Sequence, residues 1–303
     1  MCEVIGLNSK TKDVDNGTHN FPMELTVARR GDWFAGVGPG QLTPTADKRR
    51  LQFVSALKGQ NTRIAIRVPA TSGSYKYPIS GLARHVLYAL IALYALNGPQ
   101  TDDRVPFTTY QLARILGRSD GGRTYQQLCD AMDELAMVLI KDVRVFHRVA
   151  KGKLAQHEVT TVAHLLDAYK MSSKKDGNGW FRLGKEFLAQ NLQNDVTIEI
   201  PMAYLSKIEA DDHTAFTIAT YYASLRPGCK KEANEKTLRD LLRPTGQAAE
   251  TGRFRRRIEA ACRRLEAVDP GWKGAWRIVW SATDRWKLVL TPQALEAQDR
   301  TDG

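Results

Sequence analysis

The residues best suited to chemistry sit in one stretch. Between Arg226 and Arg264, twelve Lys or Arg stand against five Asp or Glu, a net +7. That is most of the +11 carried by all 303 residues. Guanidinium and ammonium groups bind phosphate oxygens, and an arginine can also make a bidentate contact with guanine. Within the stretch, Ile258, Ala261, Cys262 and Leu265 recur at helical spacing and predict a core stripe. Arg253, Arg256, Arg257, Ala260 and Arg264 fall largely on the other side. The spacing therefore predicts an amphipathic helix with a cationic outer face. The plain alternative is a solvated basic face with no ligand.

The last tryptophans are a second candidate. Trp272, Trp276, Trp280 and Trp286 are four of the six in the chain. Trp276, Ile278 and Trp280 alternate as one face of a strand, which could stack on single-stranded bases. The other reading is that they pack a hairpin onto helices. Lys273, Arg277, Arg285 and Lys287 on the same hairpin suit contact with a phosphate backbone.

Catalytic patterns are missing. Tyr221-Tyr222 could suggest a DNA-nicking tyrosine, but such enzymes also carry a His-hydrophobic-His metal motif. Here His147, His157 and His164 are widely spaced, and the tyrosines lie in an apolar run with Phe216, Ile218 and Leu225. There is no GxxxxGK[ST] loop, no GxSxG and no HExxH. Asp211-Asp212 reads as a helix start, where carboxylates suit the dipole. Cys2, Cys129, Cys229 and Cys262 form no CxxC and no zinc spacing, which fits a reducing compartment. The expectation is a protein that is not an enzyme, with no catalytic residues, metal or cofactor. Met1 to Asp15 lack a secretory pattern, and the longest apolar run, Leu82 to Leu96, is too short to span a bilayer. No membrane partner and a cytoplasmic location are expected.

The elements that would position these groups follow a repeating order. Residues 1–60 read as a weakly ordered, flexible segment. Asn61 to Val68 alternates as a strand. Leu82 to Leu96 is an apolar helix stopped by Asn97-Gly98-Pro99. Thr108 or Thr109 can cap a short helix with Leu112, Ile115 and Leu116, and Arg123 to Leu139 is a third. Asp142 to Val149 and Leu154 to Leu165 read as a hairpin. Helix, helix, helix, hairpin is a winged-helix order. After the polar stretch Met171 to Gly179 the order recurs in Asp212 to Leu225, Glu235 to Leu242, Arg253 to Val268, and a hairpin around Ala282-Thr283-Asp284. Leu238, Leu241 and Leu242 repeat the spacing of Leu112, Ile115 and Leu116. The pattern predicts a helix-rich α+β fold of tandem winged-helix domains forming a pseudo-repeat. The expected units are residues 61–193 and 194–292, with a tail at 293–303. The third helix of the first copy carries Asp130, Asp133 and Glu134. That copy could be a weaker DNA binder touching phosphate through Arg118 and Arg123, a dimerisation module, or purely structural.

Several strings carry a family resemblance. They are HVLYALIALYALNG from His85, FTTYQLARILGR from Phe107, and GRTYQQLCDAMDELAMVLI from Gly122. In the second half they are IEIPMAYL from Ile198, EKTLRDLLRPTG from Glu235, and GRFRRRIEAACRRLEAV from Gly252. Over roughly Tyr77 to Pro292 the chain resembles iteron-binding plasmid replication initiators of the RepA and TrfA kind, which have two winged helices. The resemblance implies binding to repeated double-stranded origin DNA, mostly through the second winged helix. It also implies a dimer and monomer equilibrium, with dimers repressing and monomers initiating. Origin opening and contact with host replication proteins, a helicase or an initiator, would follow. By position, Arg253, Arg255, Arg256, Arg257 and Arg264 carry over as DNA contacts. Lys236, Arg239, Arg243, Arg277, Arg285, Arg118 and Arg123 complete the expected contact set. A dimeric winged-helix regulator, reading a palindrome, is the alternative. An origin-nicking enzyme is a third.

Overall fold

The structure is a computed structural model, and it describes residues 20–24, 43–44, 50–57, 60–67, 80–150, 153–172, 177–185, 197–223, 230–242, 250–280 and 286–291. Four strands come first: Asn20–Glu24 (β1), Thr43–Pro44 (β2), Arg50–Leu57 (β3) and Gln60–Arg67 (β4). Three of these lie in the segment expected to be weakly ordered; the rest of that segment is outside the described residues. β1 has its partner far away in sequence, pairing antiparallel with Thr197–Pro201 (β10). A strand stabilised by so distant a neighbour leaves little local signal.

The first module runs Gly81–Asn97 (α1), Val105–Thr108 (β5), Thr109–Ile115 (α2) and Gly122–Ala136 (α3). It continues through Val138–Ala150 (β6), Lys153–His164 (β7), Leu166–Lys170 (β8) and Asn178–Leu183 (β9). After β10 come Ala203–Lys207 (α4) and the second module: His213–Ala223 (α5), Lys231–Asn234 (β11), Glu235–Leu242 (α6) and Thr251–Val268 (α7). A short turn of 3-10 helix, Pro270–Trp272, leads to Trp276–Val279 (β12) and Lys287–Leu290 (β13).

The two modules share one plan. In the first, the small sheet has the order β5-β9-β8; in the second it is β11-β13-β12. In both, the strand before the second helix pairs with the last strand of the module. The fold is mixed α and β, of tandem winged-helix type. One expectation is corrected here. The β6–β7 hairpin, with Ala150 opposite Lys153, is not the first wing. It joins a five-stranded sheet of order β2-β3-β4-β6-β7. The wing equivalent is β8–β9, and the polar stretch from Met171 falls in sequence between those two paired strands, with residues 173–176 outside the described ones. Strands of thirteen and twelve residues draw the eye in a sequence, whereas the five-residue β8 carries only a weak alternation.

Capping explains the helix starts. Ser80 accepts a hydrogen bond from the Ala83 amide at 3.1 Å, and Thr108, not Thr109, accepts one from Gln111 at 3.0 Å. Asp212 and Asn234 do the same for α5 and α6, from Ala215 at 3.0 Å and Thr237 at 2.8 Å.

One buried cluster runs through both modules, from Ala83 to Leu290. Polar groups lie inside it where α1 meets α5. Arg84 is buried; its Nη1 donates to His213 Nδ1 at 2.7 Å and to Thr217 Oγ1 at 3.0 Å, and its guanidinium lies 4.5 Å over Phe216. Next to it, burial and then the Arg84 charge push His85 down from 6.5 to about 3. The ring is therefore neutral in the fold. Between pH 6.5 and about 3 the unfolded chain takes up a proton that the folded chain refuses, so stability falls as pH drops through that window. The loss from this residue should be about 2 kcal/mol near pH 5 relative to neutral pH. Urea unfolding of the parent and of His85→Gln at both pH values measures it as the difference between the two proteins. An equal pH response in both would mean that His85 is not held neutral.

Candidate nucleic-acid interface

α7 is positioned from its apolar side. Phe254, Ile258, Ala261, Cys262 and Leu265 are buried, as the spacing predicted for the last four, and α7 packs chiefly on α5. Each such side chain contributes roughly 1.5–3 kcal/mol if large and apolar. That fixes which side faces water. Arg253, Arg256, Ala260, Arg263 and Arg264 are exposed and Arg257 is half-exposed. Over the eleven steps from Arg253 to Arg264 the cations extend about 16 Å along the helix.

The arginines are not equivalent. Among the described residues no carboxylate pairs with Arg256, Arg257 or Arg263; Arg256 Nε donates only to the Gly252 carbonyl, at 3.2 Å. Arg253 lies 3.2 Å from Glu250 in an exposed pair of little strength. Arg255 is held: Nη2 and Nε contact Glu235 Oε2 at 2.7 and 2.8 Å. Arg239 is held by the same carboxylate, with Nη2 and Nε at 2.6 and 2.8 Å from Oε1, and lies 4.4 Å over Phe254. Partial burial raises Glu235, but the hydrogen bonds from Arg239 and Arg255 outweigh it and keep the carboxyl below its usual range. Arg264 contacts Asp212 through Nη2 at 2.6 Å and Nε at 2.7 Å. Lys236 and Arg277 are exposed on α6 and β12. Arg243 and Arg285 lie outside the described residues.

The first module's third helix presents a different surface. Superposing Gly122-Arg123 on Gly252-Arg253 brings Leu128, Ala131, Met132 and Leu135 onto Ile258, Ala261, Cys262 and Leu265, all buried. On the outer face Gln126, Gln127 and Asp133 then take the places of Arg256, Arg257 and Arg263. Arg123 is exposed, but Arg118 donates to Gln127 at 2.8 Å, and Gln126 donates to Asp130 at 2.9 Å. Tyr169 on β8 donates to Asp133. Glu134 takes the place of Arg264, and both reach the residue that caps the first helix of their module. Glu134 accepts from Ser80 N at 2.5 Å and Ser80 Oγ at 2.7 Å, as Arg264 donates to Asp212. Arg264 is thus tied to the frame.

The tryptophans separate. Trp272 and Trp286 are buried, Trp276 donates to Glu266 at 2.9 Å, and Trp280 is exposed. Tyr222 is buried against Trp272, and its hydroxyl donates to the Gly271 carbonyl at 3.2 Å. Among the described residues no group of three or more His, Cys, Asp or Glu could hold a metal, and no helix is long and apolar enough to cross a membrane.

A duplicated helix-turn-helix with its own small sheet in each half, and one basic third helix, is the arrangement to compare with known proteins. The chain is similar in fold to RctB domains 2 and 3. Against the crystal structure of residues 155–483 of RctB the TM-score is 0.54 at 13% identity, covering 86% of this chain and 95% of that one. A selenomethionine derivative of the same two RctB domains gives 0.54 and 13%, covering 87% and 98%. At this identity the likeness to RctB is one of fold. No protein-family model matches the chain, and no curated protein matches it.

Proposed function

We propose that this chain is a replication initiator that binds double-stranded origin DNA sequence-specifically and is not an enzyme. The observation that carries the reading is the solvent face of α7, where Arg256 and Arg257 stand on the third helix of a winged module with no carboxylate partner among the described residues. The fold shared with RctB domains 2 and 3, RctB being a replication initiator, supports the same class. On this reading α7 enters the major groove with its N-terminal turns on base edges. Arg253 and Lys236 take phosphates. The first module, with its acidic third helix, serves as a dimerisation or auxiliary unit, touching backbone through Arg123. The origin sites are plasmid iterons bound in the cytoplasm, dimers repress and monomers initiate, and bound copies open the origin and recruit a host helicase or initiator.

Selection of bound fragments from a random duplex pool at near-physiological salt tests this. An asymmetric site of about two helical turns, recurring as direct repeats beside the gene, is the expected result. A short palindrome would favour the dimeric regulator. No enrichment would overturn sequence-specific binding. Affinity should also fall linearly in log K against log salt, and removing one phosphate-binding cation such as Lys236 should reduce the slope by about one. A flat salt response would remove the basic face from the interface.

A further inference from the structure

The strongest feature outside the arginine face is an exposed aromatic ring held in place by charge. Trp280, at the end of β12, is 66% exposed, one of two large apolar side chains left in water among the described residues. Burial of such a ring is worth enough that its exposure calls for a reason. The ring is not loose. The Arg255 guanidinium carbon lies 4.9 Å from its centroid, with the buried Trp286 5.8 Å away on the same cation. Arg255 is in turn clamped by Glu235, the first residue of α6, which also grips Arg239. One carboxylate, one guanidinium and one indole thus connect the start of α6, the first turns of α7 and the hairpin. Because Arg255 belongs to the N-terminal turns of α7, the ring borders the surface that carries Arg253, Arg256 and Arg257.

We propose that Trp280 is an apolar DNA contact, packing its ring on the deoxyribose wall of the groove that α7 enters, and that Glu235 and Arg255 are positioning residues for it. The inference rests on the reading of α7 as the DNA-entering helix. A helix with side chains is about 10–12 Å across and fills a major groove about 12 Å wide. A group about one ring's width to the side of its first turns therefore meets the groove wall. That wall offers sugar carbons, which a flat hydrocarbon face covers without needing base identity. Arg255, with Nε and Nη2 already given to Glu235 and its guanidinium against two rings, gives position instead of a phosphate contact.

The test uses the full chain, a mixed-sequence duplex and one strand of that duplex. Trp280→Ala should weaken duplex binding about tenfold while leaving the salt slope unchanged, because no ion pair is removed. Trp280→Phe should recover part of the loss. In the unmodified protein, duplex should shield tryptophan emission from acrylamide, and that shielding should be missing in Trp280→Phe. Glu235→Gln carries the sharper sign. Deleting a carboxylate beside a polyanion should strengthen binding by simple electrostatics; loss of the clamp should weaken it. Weaker duplex binding by Glu235→Gln, with increased quencher access to the ring in the free protein, supports the positioning role; tighter binding overturns it. Unchanged affinity in Trp280→Ala with no shielding overturns the contact, as does a loss confined to the single strand. If Arg256→Ala and Arg257→Ala still weaken duplex binding in that case, the reading of α7 stands. If the parent protein binds no duplex, both fall.

Discussion

Alanine at Arg256 or Arg257 is expected to cost roughly 1–3 kcal/mol of specific DNA binding each, and alanine at Arg264 much less. A factor of ten in affinity corresponds to about 1.4 kcal/mol, so each of the first two changes should lower specific affinity from several-fold to over a hundredfold. The difference follows from where each guanidinium is already engaged. Arg256 and Arg257 have no carboxylate among the described residues and face water, so the only described competitor for a base or phosphate is the neutral Gly252 carbonyl on Arg256 Nε. Arg264 already gives two of its nitrogens to Asp212. Its side chain is 53% exposed, and a pair that open to water contributes about 0–1 kcal/mol to stability, so its loss should register mainly as a small change in unfolding. Because Arg256 and Arg257 are neighbours, the double variant need not show the sum of the two losses. Titration of the selected duplex against the four proteins settles the matter. Equal losses at Arg256 and Arg264 would displace the reading face toward the junction with α5. Unchanged affinity in both Arg256→Ala and Arg257→Ala would remove α7 from the groove.

Much of this arrangement was legible in the chain, and the parts that were not have physical causes. The four core positions of α7 and its cationic outer face followed from a period of 3.6 residues, which needs no partner to be read. The duplication was visible for the same reason, in the leucines of α2 and α6. Identifying the first wing required knowing which strand pairs with β5. Pairing with β9 is a long-range fact, and the prominent β6–β7 hairpin stood in its place in the sequence order. The ranking among arginines was also hidden. A run such as Arg255-Arg256-Arg257 looks uniform, yet one helical step of about 100° carries Arg255 toward Glu235 and its neighbours toward water. The i and i+4 spacing of Glu235 and Arg239 was a readable sign of an ion pair. That the same carboxylate also takes Arg255, twenty residues on, was not. The stripe put Arg264 on the outer face, where it lies, but could not show its tie to Asp212, the residue that caps α5.

A methyl group at Gly81 is expected to damage the protein more than any of these surface changes. Gly81 opens α1, where the segment leading from α4 to α5 crosses it. A Cβ built there would lie 1.9 Å from the Ala210 carbonyl oxygen and 2.8 Å from its carbon. Both atoms are backbone, so no side chain can swing away. Gly117, two residues past α2, meets the end of α4, just before that segment: its Cβ would fall 2.5 Å from the Ser206 carbonyl oxygen, and its φ of 61° already disfavours other residues. Two glycines thus let one strip of backbone, Ser206 to Ala210, lie flat on the first module before α5 begins. Gly81→Ala must push that strip or α1 outward, loosening the packing in which Arg84 meets His213 and Thr217. Overpacking of this kind usually costs about 1–3 kcal/mol and more when only backbone can give, so a loss of roughly 3 kcal/mol or more is expected. Gly122→Ala is the matched control. It also lies in a first helical turn, but a Cβ there meets nothing within 4 Å, and alanine should stabilise by up to about 1 kcal/mol. Urea unfolding of the two variants should therefore move in opposite directions. If Gly81→Ala unfolds like the parent protein, the strip between the modules yields easily, and the two winged helices are coupled far more loosely than their shared core implies.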